Sequence, residues 1–209
     1  MNALAQFARI FSLCITCVWL LPARAATTAV PDERDGQVLD ALLLHLLSDP
    51  KFDMTRVSTN GATIVLHTQT PEKTGFLQSH QMRSDVGGHT LPSDAERDLQ
   101  RRNSPPNAKA DTYDAVAASF TNLTFSAGVV VADLTSTWKD RRSFSAFEEA
   151  YPKARGYVRA YLAGYSKDGT RALVRATAGP SAHGAMVTAL LEKSGGKWVV
   201  KWHHIAWYA

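Results

Sequence analysis

Residues 156–178 read GYVRAYLAGYSKDGTRALVRATA, and this stretch decides the fold class. Two runs alternate in side-chain character with a period of two, the signature of half-buried strands. Between them lies Ser166-Lys167-Asp168-Gly169. That segment fits a type I turn with Gly169 in the left-handed bulge position. The turn predicts that Ser166 pairs with Thr170, which sets Tyr161 opposite Arg175 and Tyr165 opposite Arg171. One face then carries Tyr157, Arg159, Tyr161, Tyr165, Arg171 and Arg175. The other carries Val158, Ala160, Leu162, Gly164, Ala172, Val174 and Ala176. A register that separates polar from apolar side chains in this way is the one a half-buried sheet requires.

Downstream, Ala185–Glu192 and Lys197–Tyr208 form a second pair of strands across Ser194-Gly195-Gly196. Upstream, Ala62–His67 follows the turn signal Asn60-Gly61 and reads as a buried strand, and Val129–Leu134 reads as a second strand. Gln37–Ser48 places Val38, Leu39, Leu42, Leu43, Leu46 and Leu47 on a broad apolar helical face, which Asp49-Pro50 ends. Ala26–Asp35 is polar and reads as a loose leader. Ser93 and Glu96 have capping-box spacing for a helix from Asp94 to about Arg102, and Asn103–Asn107 reads as a linker. Phe144, Phe147 and Tyr151 mark another short helix, and residues 76–90 carry no decisive pattern. The expected class is α+β: a curved antiparallel meander of about four C-terminal strands, packed with short N-terminal and central helices on one side.

The first residues are of another kind. Arg9 precedes an uncharged apolar run, Ile10–Leu21, and Ala23-Arg24-Ala25 supplies small residues at a cleavage site. That order describes a secretory signal peptide, residues 1–25, followed by one α+β domain, residues 26–209. Twelve helical residues reach only about 18 Å, too short for a bilayer core of about 30 Å. No stable membrane anchor is therefore expected after cleavage, and the chain is expected to act in the periplasm or outside the cell. Cleavage removes Cys14 and Cys17, leaving no cysteine for disulfide or metal chemistry. It also removes Arg9 and Arg24 from a chain whose net charge is +4. The nearly neutral remainder argues against a nucleic-acid partner. No phosphate-binding loop or dinucleotide fingerprint occurs, so no cofactor is expected.

Three constellations bear chemistry. The Tyr157, Arg159, Tyr161, Tyr165, Arg171 and Arg175 stripe pairs aromatic faces with guanidinium groups, which suits sugars, carboxylates and other anions. It predicts a non-catalytic binding module for a small ligand, glycan or protein partner. Ser181 and His183, in the loop Gly179–Gly184, place a hydroxyl and an imidazole close together. They are the catalytic candidates for an alternative reading as a small secreted hydrolase, although no third group to orient the base is visible. A metal-binding alternative would draw on His80, His89, His183 and His204, with no recognisable ligand motif. In the closing strand, His203 and His204 point to opposite faces, His204 with Trp198, Val200, Trp202 and Tyr208.

Tyr151-Pro152-x-x-x-Gly156, Gly164-Tyr165-Ser166-x-Asp168-Gly169-x-x-Ala172-Leu173-Val174, Gly179-Pro180, Leu190–Lys193 and Gly196–Val200 form an ordered set. The set resembles a group of exported bacterial proteins carried as hypothetical proteins without assigned function. The likeness spans about Tyr151 to Tyr208. The closing hairpin is also similar to those of NTF2-like and cystatin-like folds. This resemblance implies export and an α+β fold, and it brings no active site with it.

Overall fold

The computed structural model describes residues 30–52, 54, 62–106, 113–139, 143–179 and 184–207. Its strands are β1 (Thr63–His67), β2 (Val129–Ala132), β3 (Ala154–Ala160), β4 (Gly164–Tyr165), β5 (Arg171–Gly179), β6 (Ala185–Ser194) and β7 (Lys197–Trp207). They form one sheet in the order β2-β1-β3-β5-β6-β7, with β4 also on β5. The class is α+β, as the sequence implies, but the sheet is a mixed one of seven strands and not a four-stranded meander. Strands β3, β5, β6 and β7 run antiparallel, while β1 pairs in parallel with both β2 and β3. Strand β1 sits inside the sheet with Ile64, Val65 and Leu66 buried on alternate faces. An unbroken apolar run is what a strand covered on both sides demands.

Helices cover both faces, which corrects the expectation of one covered side. Helix α1 (Glu33–Ser48) lies on the first face, where Val38, Leu39, Leu42, Leu43 and Leu46 meet Val158, Val174, Val187 and Leu191. It begins four residues earlier than its apolar pattern suggests. Asp32 caps it, and Asp32 and Asp35 each accept the other's backbone N–H at 3.0 Å. The second face holds α2 (Ser79–Ser84) and α3 (Ser93–Asn103), with Leu77, Met82, Ala95 and Leu99 packed on Tyr161 and Leu173. On that face Phe147 of α5 (Ser143–Ala150), together with Leu134 ahead of α4 (Thr135–Lys139), packs over Val65 and Ala154.

The hairpin register holds on one side of a bulge and slips on the other. Ala160 pairs with Ala176 and Tyr161 donates its N–H to Arg175 O, as expected, but Gly164 pairs with Leu173 and Tyr165 with Ala172. The β3–β4 side thus holds one residue more than β5, and the extra residue turns Tyr165 onto the apolar face. Asn103 takes up the backbone this leaves unpaired. Its amide donates to Leu162 O at 2.9 Å and accepts from Leu162 N at 2.9 Å. Asn103 is therefore the buried last residue of α3, not the start of a linker. Gly164 lets the helix approach: a Cβ there would lie 2.2 Å from Ala95 O and 2.3 Å from Leu99 N.

A second bulge falls in β7, where Leu190 pairs with Trp202 but Leu191 with Val200. It puts His204 on the face of Trp202, and His203 on the opposite face with Trp198 and Val200. Unbroken alternation along this strand would instead group His204 with Trp198, Val200, Trp202 and Tyr208.

The turn itself spans Ser166 to Arg171, one residue longer than read, and Gly169 adopts φ +69°. No neighbour lies within 4 Å of a Cβ built there, so backbone strain alone governs substitution. Gly169→Val is expected to cost about 1–3 kcal/mol in chemical denaturation. Unchanged stability would contradict the left-handed assignment.

Candidate functional site

The Tyr/Arg stripe does not survive as an open surface. Tyr161 and Arg175 are fully buried. The Tyr161 hydroxyl donates to Lys73 O at 2.5 Å, and burial pushes its ionisation up to about 12. Arg175 donates to Asp85 and, at 2.8 Å, to Thr188 Oγ1. Arg159 reaches Thr70 O at 3.1 Å and Glu72 at 3.5 Å, while Tyr157 packs edge-on against Phe147. Arg171 is half-buried and lies 3.8 Å from Asp94. The residues 70–103 that cover this face bring their own partners for its polar groups, so the stripe serves mostly as an internal seam. Ser181 and His183 lie outside the described residues, as do residues 1–29 and Tyr208. Among the histidines, His89 stacks on Trp202 at 4.5 Å, and the described residues contain no group of three or more His, Cys, Asp or Glu able to hold a metal ion.

Tyr165, displaced by the bulge, leads to the site the sequence did not show. Its hydroxyl donates to Asp35 at 2.8 Å. Arg102 from the end of α3 grips the same carboxylate with two bonds, 2.7 and 2.8 Å, and also donates to Ala163 O at 2.6 Å. A fork-to-fork pair of this kind fixes direction as well as distance. Burial pushes the Asp35 carboxyl up, but the Arg102 bond and charge, helped by the Asp32 N–H and Tyr165, outweigh it and hold the group below its ordinary value. Burial and the Asp35 charge together raise the ionisation of the Tyr165 hydroxyl far above neutrality. The guanidinium carbon of Arg34 stands 3.6 Å from the Tyr165 ring centroid.

On this network rests a cleft of about 410 Å³ between the first turn of α1, the outer face of α3 and the β4–β5 turn. Five cations line it: Arg34, Arg97, Arg101, Arg102 and Lys167. Its two carboxylates are already committed. Asp98 accepts from Arg101 and from the Tyr165 N–H at 2.9 Å, and Asp94 from the N–H groups of Lys167 and Ala95 at 3.1 and 3.0 Å. Arg97 and the Lys167 ammonium form no ion pair among the described residues, and Arg34 has only Asp32 at 3.9 Å. The cleft presents unspent donors and a surplus of positive charge to whatever enters it. Arg101 and Arg102 were legible in the sequence only as cations complementing a helix C-terminus. Nothing local marked Asp35, Arg34 or Tyr165 as their neighbours.

A second cleft, about 450 Å³, opens beside the carboxyl ends of parallel β1 and β3. His67, 1% exposed, accepts the Leu134 N–H at 3.1 Å there. Burial and then the Arg159 charge lower its basicity, against Asp133. His45 is lowered likewise, by burial and then by His203. Both imidazoles thus titrate below 6.5 in the folded state. A depressed folded-state value favours the native form above the unfolded value and loses that contribution as pH falls. Stability is therefore expected to decline as pH drops through and below 6.5, a decline that His45→Gln with His67→Gln flattens in denaturant titrations.

No protein-family model, curated protein or solved structure matches the chain. No helix of the described residues is long and apolar enough to cross a membrane.

Proposed function

We propose that this protein is an exported, non-catalytic binding module that holds a small hydrophilic anion in the cleft of Arg34, Arg97, Arg101, Arg102 and Lys167. The observation that carries this reading is the imbalance of the cleft: with Arg102 spent on Asp35 and Arg101 on Asp98, Arg97 and Lys167 form no ion pair among the described residues and Arg34 meets only Asp32 at 3.9 Å, while Asp94 and Asp98 are already hydrogen-bonded within the chain. Carboxylate, phosphate and sulfate groups suit it, because guanidinium forks bind them with two bonds at once. The Tyr165 ring beneath Arg34 adds a flat wall that keeps that guanidinium oriented. Its place of action, on the signal-peptide reading, is the periplasm or the cell exterior.

Calorimetric titration with pyrophosphate and citrate at low salt tests the proposal. Saturable binding that weakens with added salt is the expected result. Arg97→Glu with Lys167→Glu should weaken it at least tenfold, since each charge-assisted bond contributes about 1.5–3 kcal/mol. Both positions are at the protein surface, so the double variant should keep its fold. No binding by either anion, or binding indifferent to the double reversal, would overturn the assignment.

A further inference from the structure

Strand β1 lies between β2 and β3 and runs parallel to both. The chain that leaves the carboxyl end of β1 comes back on one side of it as β2, and the chain that leaves β2 comes back on the other side as β3. Connections that part in this way leave a crevice beyond the strand ends, and parallel sheets bind their ligands at such a point. The second cleft, of about 450 Å³, opens there. His67 ends β1, Thr135 follows β2, Arg159 stands one residue from the end of β3, and all three line the cleft.

One wall is a ribbon of two segments, residues 68–74 and 113–120, hydrogen-bonded to each other along their length. The Thr74 N–H donates to Tyr113 O at 2.6 Å, the Ala115 N–H to Glu72 O at 2.8 Å, and the Phe120 N–H to Thr68 O at 2.9 Å. Between these, the Thr70 hydroxyl donates to Val116 O and accepts from the Ala118 N–H, both at 3.0 Å. Val116 and Ala118 are buried, so alternation along the segment leaves Ala115 and Ala117 on the cleft side with Pro71. The wall is thus fixed in place by its own backbone, and it offers an apolar strip.

Unlike those of the basic cleft, the charges here balance, but they are unevenly placed. Arg159 is the cation of the inner end, its side chain 18% exposed, and His67 beside it is uncharged at neutral pH. The mouth holds Glu72 and Asp114, 84% and 66% exposed, with Lys73 donating to Asp114 at 2.5 Å. One net negative charge therefore stands at the mouth and one positive charge inside. Glu72 Oε1 is 3.5 Å from Arg159 Nη2, longer than the about 2.7–2.9 Å of a charge-assisted hydrogen bond. The bond from Arg159 Nη2 to Thr70 O at 3.1 Å keeps the guanidinium tied to the ribbon. A ligand with one charge of each sign satisfies both ends, whereas a simple anion or cation meets one end and is repelled by the other.

We propose that this cleft binds a free α-amino acid as its zwitterion, the carboxylate towards Arg159, the ammonium towards Glu72 and a small apolar side chain along Pro71, Ala115 and Ala117. The site shares no lining residue with the basic cleft.

L-Leucine is the probe, with L-alanine beside it, titrated calorimetrically at about pH 7, where both ionisable groups of the ligand are charged. N-Acetyl-L-leucine lacks the ammonium and L-leucinamide lacks the carboxylate. One-site binding of leucine is expected, with each of these two analogues weaker by about tenfold or more. Glu72→Lys, at the exposed mouth, should weaken leucine to the same degree and leave N-acetyl-L-leucine no weaker. Arg97→Glu with Lys167→Glu should leave leucine binding unchanged. Absence of binding by leucine and alanine, an analogue that binds as tightly as leucine, or indifference to Glu72→Lys would each overturn the proposal. So would loss of leucine binding in the double reversal, which would move the ligand to the basic cleft. The pyrophosphate and citrate titrations do not depend on any of these results, so the two assignments fail separately.

Discussion

Asp35→Ala is expected to lower the free energy of unfolding by about 3–5 kcal/mol, the range for removing one partner of a buried ion pair. The carboxylate is fully buried and accepts two bonds from Arg102, one from Tyr165 and one from the Asp32 N–H. Its removal leaves the mostly buried Arg102 guanidinium with Ala163 O alone and strands the Tyr165 hydroxyl. The large part of the cost is the uncompensated charge, not the lost attraction. Asp35→Leu combined with Arg102→Met therefore should recover most of the stability, because an apolar pair of similar size carries no such penalty. Equilibrium denaturation of the two variants decides it. A loss below about 1 kcal/mol for Asp35→Ala, the scale of an exposed pair, would mean that solvent already reaches this carboxylate.

The same network shows which parts of the structure the sequence could disclose. The alternation of Val158, Ala160, Val174 and Ala176 fixed one sheet face, because those residues meet across a turn a few residues long. The turn glycine at 169 was legible for the same reason. The bulge at 161–163 was not, since what stabilises it is Asn103, some sixty residues away along the chain. One extra residue then turned Tyr165 inward and built a wall of the basic cleft. Parallel pairing of β1 was equally hidden: its neighbours begin at Val129 and Ala154, and an apolar run says nothing about direction. Alternating Tyr and Arg read as a half-open surface because their covering segment, residues 70–103, has short elements with weak periodicity. Charge patterns near one another in sequence, such as Arg101-Arg102, carried only local meaning.

Arg175 exposes the largest consequence of that covering. Asp85→Ala is expected to cost about 3–5 kcal/mol, since it leaves a fully buried guanidinium with Thr188 Oγ1 as its remaining acceptor among the bonds described. The Arg175 Nε is already without an acceptor among the described residues, so the group has no spare bond to fall back on. Asp85 also terminates α2 and accepts from Gln81 Nε2 at 3.1 Å and Ser84 Oγ at 2.9 Å. Its loss thus loosens the helix as well as the strand beneath it. The charge and the helix contributions separate in two further variants. Arg175→Met with Asp85→Ala removes the stranded cation and should be clearly more stable than Asp85→Ala alone. Gln81→Ala keeps the ion pair and should cost no more than about 1 kcal/mol. If Asp85→Ala and the double variant prove equally unstable in denaturant titrations, the cost lies in the end of α2 and not in the buried charge. If both are as stable as the parent, the Tyr/Arg face is more open to water than the packing of α2 and α3 allows, and it would again be a candidate binding surface.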